Sequence, residues 1–353
     1  MRLMLHVLVL LMTSLGFSQT ISKLYEQSSE AVVMIRTLQT GLAFEDGLPV
    51  LSSLSSLGSG FVISGEGEIL TVAHLVQTAE RIYVKFSDGE ELSARVLYSY
   101  PLADVALIKL ITPKSTPLVS VNLGNSDHMK IGDQVFIIGA PYGLRHSLSV
   151  GYISRKYKRE PSYNGLVTTE YFQSDAAINE GSSGGPMFNM KGEVIGIVSF
   201  LVSRSQGFQG LGFAASSNIA KKLLIEEHAI WTGIKVNFIS GPLIEVLNVP
   251  QEGGLLIQKV APNSLGGIME LKGGVFEMTL QNENLILGGD IVLTLDGIPL
   301  INETNVIKAW YVLQGLKMGD SLKITILRKG KILEIEKEIP DFFFKKIKKN
   351  TPD

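Results

Sequence analysis

The chain has no cysteine and five histidines, and one of these, His6, lies in an apolar N-terminal run. A thiolate nucleophile, a disulfide scaffold and a cysteine zinc site are therefore excluded. Chemistry has to come from hydroxyls, carboxylates and the remaining histidines. The stretch AAINEGSSGGPMFN, residues 176–189, places Ser182 and Ser183 among Gly181, Gly184 and Gly185. Glycine–serine runs commonly serve as flexible loops. This one is short and lies between DAAI and GPMFN, which read as ordered. Glycine also lets successive backbone N–H groups turn toward one point, as an oxyanion hole requires. A serine nucleophile needs a base within hydrogen-bond reach, and that base needs an acceptor to fix its tautomer. His74 closes the run EILTVAHLV behind the small Ala73, and Asp104 opens ADVALIKL, a run expected to be buried. A carboxylate at the mouth of such a strand is costly without a partner, and His74 is a natural one. Taken singly, each has a plain structural reading, a satisfied strand-end histidine and a turn-forming aspartate.

The pattern G-x-S-x-G, met by Gly181, Ser183 and Gly185, raises the nucleophile elbow of the α/β-hydrolases. Chain order argues against it. That arrangement needs the acid and then the histidine after the serine, yet the next aspartate is Asp290 and no histidine follows His228. The residues beyond the motif also read as strand, not as the helix an elbow requires.

The elements that must position these residues are mostly strands. AVVMIRT, GSGFVIS, EILTVAHLV, RIYVKFSD, ADVALIKL, DQVFIIGAP and EVIGIVSF are short β-branched runs bounded by Gly, Pro, Asp or Ser. Many such strands at close spacing predict a sandwich or barrel. LPVLSSLSSLGS, 48–59, is expected to be a surface loop between strands. The first helical pattern is SSNIAKKLLIEEHAI, 216–230, with Ser217 as expected N-cap, and it reads as the end of a domain. A second block from Trp231 to about Pro340 holds several strands, the helix ETNVIKAWYVLQGL and a hairpin turning at RKGK. At 353 residues the chain accommodates two domains, and a net charge of −2 gives no case for nucleic acid. The N-terminus has the anatomy of a signal peptide over 1–18, cleaved before Gln19; retained, it would be a membrane anchor. Either reading exports the chain. The basic tail FFFKKIKKNTPD reads as a solvated end, with contact to a membrane surface the alternative.

Together, TVAHLV, ADVALIKL and SDAAINEGSSGGPMFN resemble the HtrA (Deg) family of exported serine proteases, with GSGFVISGEGEILTVAHLV, IGAPYGL, GLGFAASSNIAKKLL and GGDIVLTLDGIPL extending the resemblance over most of the chain. The resemblance implies a mainly β fold. A chymotrypsin-like double β-barrel protease domain over 19–228 would be followed by a smaller α+β PDZ domain over 229–341 and a basic tail over 342–353. It implies a periplasmic endopeptidase acting on unfolded or misfolded proteins, a homotrimer, peptide C-termini bound at the PDZ domain, and no cofactor, metal or nucleic acid. A peptide-sensing or chaperone protein with weak or silent proteolysis is the alternative. By position, His74 would be general base, Asp104 its orienter and Ser183 the nucleophile, with the N–H groups of Gly181 and Ser183 as oxyanion hole. The chain departs from the family pattern at Val72, Glu180 and Ser182, and the last two flank the hole. Ala177, six residues before Ser183, stands where proteases of this fold that prefer basic residues carry an acid. With Ile178, and with Ser199 and Phe200 on the other wall, it would form a shallow apolar S1 pocket for small aliphatic side chains. Trp231, Thr232, Gly233 and Ile234 match the PDZ carboxylate-binding loop. ELKGGVFEMTLQNENLILGGD is longer than a compact PDZ domain needs, an insertion able to cover or reshape its groove.

Overall fold

The structure is a computed structural model that describes residues 20–45, 48–140, 146–159, 169–179, 181–201, 210–280 and 283–343. Residues 1–19, which include the expected signal peptide, lie outside the described residues, as do Glu180 and most of the basic tail. Strands β1 (Val32–Glu45), β2 (Leu48–Val62), β3 (Glu68–Thr71), β4 (Arg81–Lys85), β5 (Glu91–Tyr100) and β6 (Val105–Leu110) close into a barrel in the order β1-β2-β3-β6-β5-β4. Strands β7 (Gln134–Gly139), β8 (Ser147–Arg159), β9 (Thr169–Ser174), β10 (Pro186–Asn189), β11 (Val194–Leu201) and β12 (Gly212–Ser216) close a second, in the order β10-β11-β12-β9-β8-β7. Read from β7, the second ring runs 7-8-9-12-11-10, the first barrel's order repeated. Inward β-branched and aromatic residues such as Ile35, Phe61, Ile69 and Ile108 are fully buried in barrel one, each contributing about 1.5–3 kcal/mol by leaving water. Phe136 and Phe188 of barrel two stack at 4.8 Å and belong to the same apolar cluster, so the barrels share a packed seam.

The C-terminal block is a sheet in the order β13-β14-β17-β19-β20, from β13 (Ile234–Ser240), β14 (Gly253–Val260), β17 (Ile291–Leu295), β19 (Ser321–Arg328) and β20 (Lys331–Glu338), with β18 (Ile298–Pro299) against β17. The helix Glu303–Gly315 packs Ala309 and Leu313 into this sheet's core beside Ile257, Leu322 and Ile326. This is the small α+β unit expected, consistent with a PDZ domain. The RKGK hairpin is present, with Lys329 and Gly330 both at positive φ, as a two-residue turn matched to the strand twist demands. The long insertion folds as its own hairpin, β15 (Phe276–Leu280) with β16 (Glu283–Leu287), tied to β14 where Ile286 N–H donates to Gln258 Oε1.

Three local expectations are corrected. Residues 48–59 are not a loop: they lie in β2, which pairs with β1 from Val32↔Phe61 to Glu45↔Leu48. The ladder satisfies the backbone, and serines are tolerated on a ribbon that needs little apolar burial. The 216–230 helix is capped by Ser216, whose side chain accepts from Ile219 N, because the Ser217 hydroxyl is drawn to Gly124 O at 2.8 Å. That helix widens into a π turn over Lys221–Glu226 and stops before His228, at φ 55°. Finally, EILTVAHLV is not one strand: β3 ends at Thr71 and His74 lies in a one-turn helix, α1 (Ala73–Val76).

Candidate active site

Helix α1 exists because something satisfies its N-terminus. Val72, buried and extended, enters the turn without a side-chain cap. The Asp104 carboxylate supplies the missing acceptor: its Oδ1 takes the His74 N–H at 2.9 Å. The same carboxylate holds the imidazole, with His74 Nδ1 at 3.0 Å from Oδ1 and 2.9 Å from Oδ2. Asp104 thus fixes both main chain and ring of His74. It can do so because the turn Pro101–Ala103 delivers it in the left-handed region, φ 53°, ψ 45°. Aspartate tolerates that region better than most residues. The Asp104 side chain is 17% exposed and that of His74 54%. Partial burial by itself would pull the imidazole pKa down, but the Asp104 hydrogen bond and charge together outweigh it and hold the pKa above the ordinary histidine value.

Barrel two contributes the loop between β9 and β10. Its two serines face different ways. Ser182 is buried: its N–H donates to Asn179 O at 2.9 Å and its hydroxyl oxygen accepts from Asn179 N. The half-buried Ser183 instead donates its hydroxyl to Ser199 O at 3.1 Å. Ser199 also donates its own hydroxyl to Asp104 Oδ2. A hydrogen-bonded path therefore runs from Ser183 through Ser199 to Asp104 and His74. It joins the three residues singled out in sequence across both barrels.

The glycines are dictated by crowding as much as by freedom. Gly184, at φ +88°, would place a Cβ 2.0 Å from Ser59 O and 2.4 Å from Thr71 Oγ1. Ser59, on β2 of barrel one, is the clamp: its N–H donates to Ser183 O at 2.8 Å, and its hydroxyl donates to Gly181 O at 2.7 Å and accepts from Ala140 N at 2.9 Å. Gly181 itself lies at φ +91°. Sequence reasoning missed Ser59. The available signal was its setting in GSG, where Gly58 and Gly60 leave room for close approach: a Cβ at Gly58 would lie 3.0 Å from Ser183 O.

The residues expected along the specificity pocket divide. Ala177 is exposed, whereas Ile178 is buried in the barrel-two core with Phe172, Met187 and Val198. Phe200 is 42% exposed and stacks on Phe213 at 4.9 Å. Ser199 is buried with its hydroxyl on Asp104, a role the sequence did not suggest. In the C-terminal unit, Trp231 and Thr232 are buried against barrel one: Trp231 Nε1 donates to Gln77 O at 2.9 Å, and Thr232 Oγ1 accepts from Gln77 Nε2 at 2.9 Å. Gly233, at φ +64°, leaves no room for a Cβ beside Ser264, and Ile234 opens the edge strand β13.

A model of the trypsin-like peptidase domain matches residues 58–197. Over 94% of its length the chain is 32% identical to a probable periplasmic serine endoprotease DegP-like of Ectopseudomonas mendocina (strain ymp), covering 74% of that protein. Over 78% of its length it is 36% identical to the protein of the same description from Pseudomonas putida (strain GB-1), covering 54% of it. The chain thus spans about half the length of several curated relatives it matches. Among solved structures, the HtrA-type protease AlgW with decapeptide superimposes with TM-score 0.51 at 25% identity, over 91% of this chain and 98% of that one. The same protease with tripeptide gives 0.51 at 27%, over 91% and 97%. The chain therefore belongs to the HtrA/DegP-like family of serine endoproteases.

Proposed function

We propose that this protein is an exported endopeptidase that cleaves unfolded or misfolded proteins of the cell envelope, with Ser183 as nucleophile, His74 as general base and Asp104 as its orienter. The observation that carries this reading is the hydrogen-bonded path joining Ser183, Ser199, Asp104 and His74 across the two barrels. For reaction, the Ser183 hydroxyl leaves the Ser199 carbonyl and turns to His74. Its oxygen bonds to the scissile carbonyl carbon while its proton passes to Nε2. The carbonyl oxygen takes the negative charge and accepts from the N–H groups of Gly181 and Ser183. Collapse breaks the C–N bond as Nε2 protonates the leaving amine. Water, deprotonated by the same imidazole, then attacks the acyl carbon, and the Ser183 Oγ–C bond breaks as Nε2 returns the proton to Oγ and the new carboxyl product leaves. Asp104 keeps the Nδ1–H tautomer and balances the imidazolium.

The exposed Ala177 and Phe200 support an apolar S1 region suited to small aliphatic side chains. β13 has β14 on one side and lies at the sheet edge, the position at which a peptide adds as a further strand. AlgW has been solved with a decapeptide and with a tripeptide, which supports peptide binding; we assign that binding to the C-terminal unit, with the terminal carboxylate at residues 231–234. A trimer is the assembly we infer from the family. The test is cleavage of an unfolded model protein, with and without added C-terminal peptides. Wild type should cleave it and Ser183→Ala should not. Retained cleavage in Ser183→Ala would overturn the assignment, and a folded wild type that binds peptide without cleaving would favour a sensing role.

A further inference from the structure

Gln77 lies three residues beyond His74 and caps the C-terminus of α1, its N–H donating to Ala73 O at 2.8 Å. It is a buried glutamine at 7% exposure, and its side chain and carbonyl are engaged on two other segments, β5 and residues 231–234. Its Nε2 donates to Thr232 Oγ1 at 2.9 Å and to Ile234 O at 3.3 Å. Its Oε1 accepts from the Ser99 hydroxyl at 2.7 Å, and its backbone carbonyl accepts from Trp231 Nε1 at 2.9 Å. The amide orientation is fixed by chemistry, since the Ile234 carbonyl can only accept. Ser99 is fully buried on β5, the strand that runs through Tyr100 and the turn 101–103 to Asp104.

The segments that deliver His74 and Asp104 therefore meet on one amide, and the remaining bonds of that amide go to the start of the C-terminal domain. A second contact lies beside it. Trp310, on the helix Glu303–Gly315, meets Tyr100 edge-on at 5.5 Å, and Gln314 Oε1 accepts from Ile230 N at 3.2 Å. The linker itself extends barrel one, with Ile230 bridged to Tyr98 and Ser99 N–H donating to Ala229 O at 3.2 Å. Were the C-terminal domain to shift, Gln77 would lose three bonds to it at a buried position. Such a loss is relieved only by moving the amide, and with it α1 or β5.

We propose that Gln77 is a positioning residue through which the seating of the C-terminal domain sets the geometry of the His74–Asp104 pair. This rests on the endopeptidase reading above. The Asp104 carboxylate is the charged group that acts on the His74 imidazole, so a loosened pair shows directly in the histidine's titration.

The experiment compares wild type with Gln77→Met, which keeps length and loses the amide, and with Thr232→Val, which removes only the acceptor on the C-terminal side. His74 is titrated by NMR. Turnover of a short chromogenic peptide is measured per active site counted with a fluorophosphonate. Both variants should titrate at lower pH than wild type. Turnover per site should fall, by roughly tenfold or more in Gln77→Met and less in Thr232→Val, with KM little changed. A purely structural role would reduce the number of labelled sites and leave both the titration and the turnover per site alone. An unmoved His74 titration in both variants overturns the proposal. A wild type that neither labels nor cleaves defeats the endopeptidase reading instead, and the NMR titration still decides the coupling.

Discussion

The two barrels repeat one strand order, and in each the connection from third to fourth strand carries a member of the proposed triad: His74 between β3 and β4, Ser183 between β9 and β10. Equal topology has been put to unequal use. Barrel one presents titrating side chains, and its connection is a single helical turn capped by a carboxylate that also grips the ring. Barrel two presents backbone. Its connection is held open by glycines at φ +91° and +88° and clamped from outside by Ser59 of barrel one. The difference separates two kinds of control. Proton affinity is set in barrel one, and the placement of N–H groups and of one hydroxyl is set in barrel two.

This division can be broken or sharpened by substitution. The largest effect is expected from Ser183→Ala, a loss of about 10⁶-fold in kcat with the thermal transition unchanged. Asp104→Asn should cost about 10⁴-fold, because the wrong tautomer is then favoured. It should also change the pH profile. In wild type His74 must be neutral to accept a proton, and its pKa is held above the ordinary value, so kcat/KM should fall as pH drops through that raised value. Removing the Asp104 charge leaves burial to act, so the residual activity of Asp104→Asn should persist to lower pH. No variant in the connection between β9 and β10 should move this limb, whereas Ser199, whose hydroxyl reaches Asp104 from β11, is the barrel-two residue that can.

Gly184→Ala should lower kcat by about 10²-fold and lower the melting temperature, since its Cβ collides with Ser59 and Thr71 at a positive φ. Ser59→Ala strands the Gly181 carbonyl and the Ala140 N–H, and a roughly tenfold loss of kcat is expected with the acid limb in place. Ser182→Ala should be the mildest, within about threefold of wild type, because among the described residues that hydroxyl serves Asn179 alone. A shift of the acid limb in Ser59→Ala would show that the barrels do not divide the work as described.

A sandwich or barrel and a small α+β C-terminal unit were legible in short β-branched runs, the pair of barrels only through the family resemblance, and the candidates His74, Asp104 and Ser183 in three local motifs read together. The partners of those residues were not. Ser59 meets Gly181 across 122 positions, Ser199 meets Asp104 across 95, and Gln77 meets Thr232 across 155. Such pairs are created by barrel closure and domain docking, which leave no local periodicity. Residues 48–59 misled for the opposite reason. Their serines carry the composition of a loop, but the register with β1 is set by the length of the hairpin and by its ladder. His74 read as strand because EILTV is β-branched, whereas the carboxylate that starts its helix lies 30 residues away.

The most direct test of the account is the site of reaction with a fluorophosphonate, read by mass spectrometry of the digested protein. A single adduct on Ser183, absent in Ser183→Ala and much slowed in His74→Ala, is the predicted result. An adduct on Ser182, or none on protein shown to be folded, would contradict it.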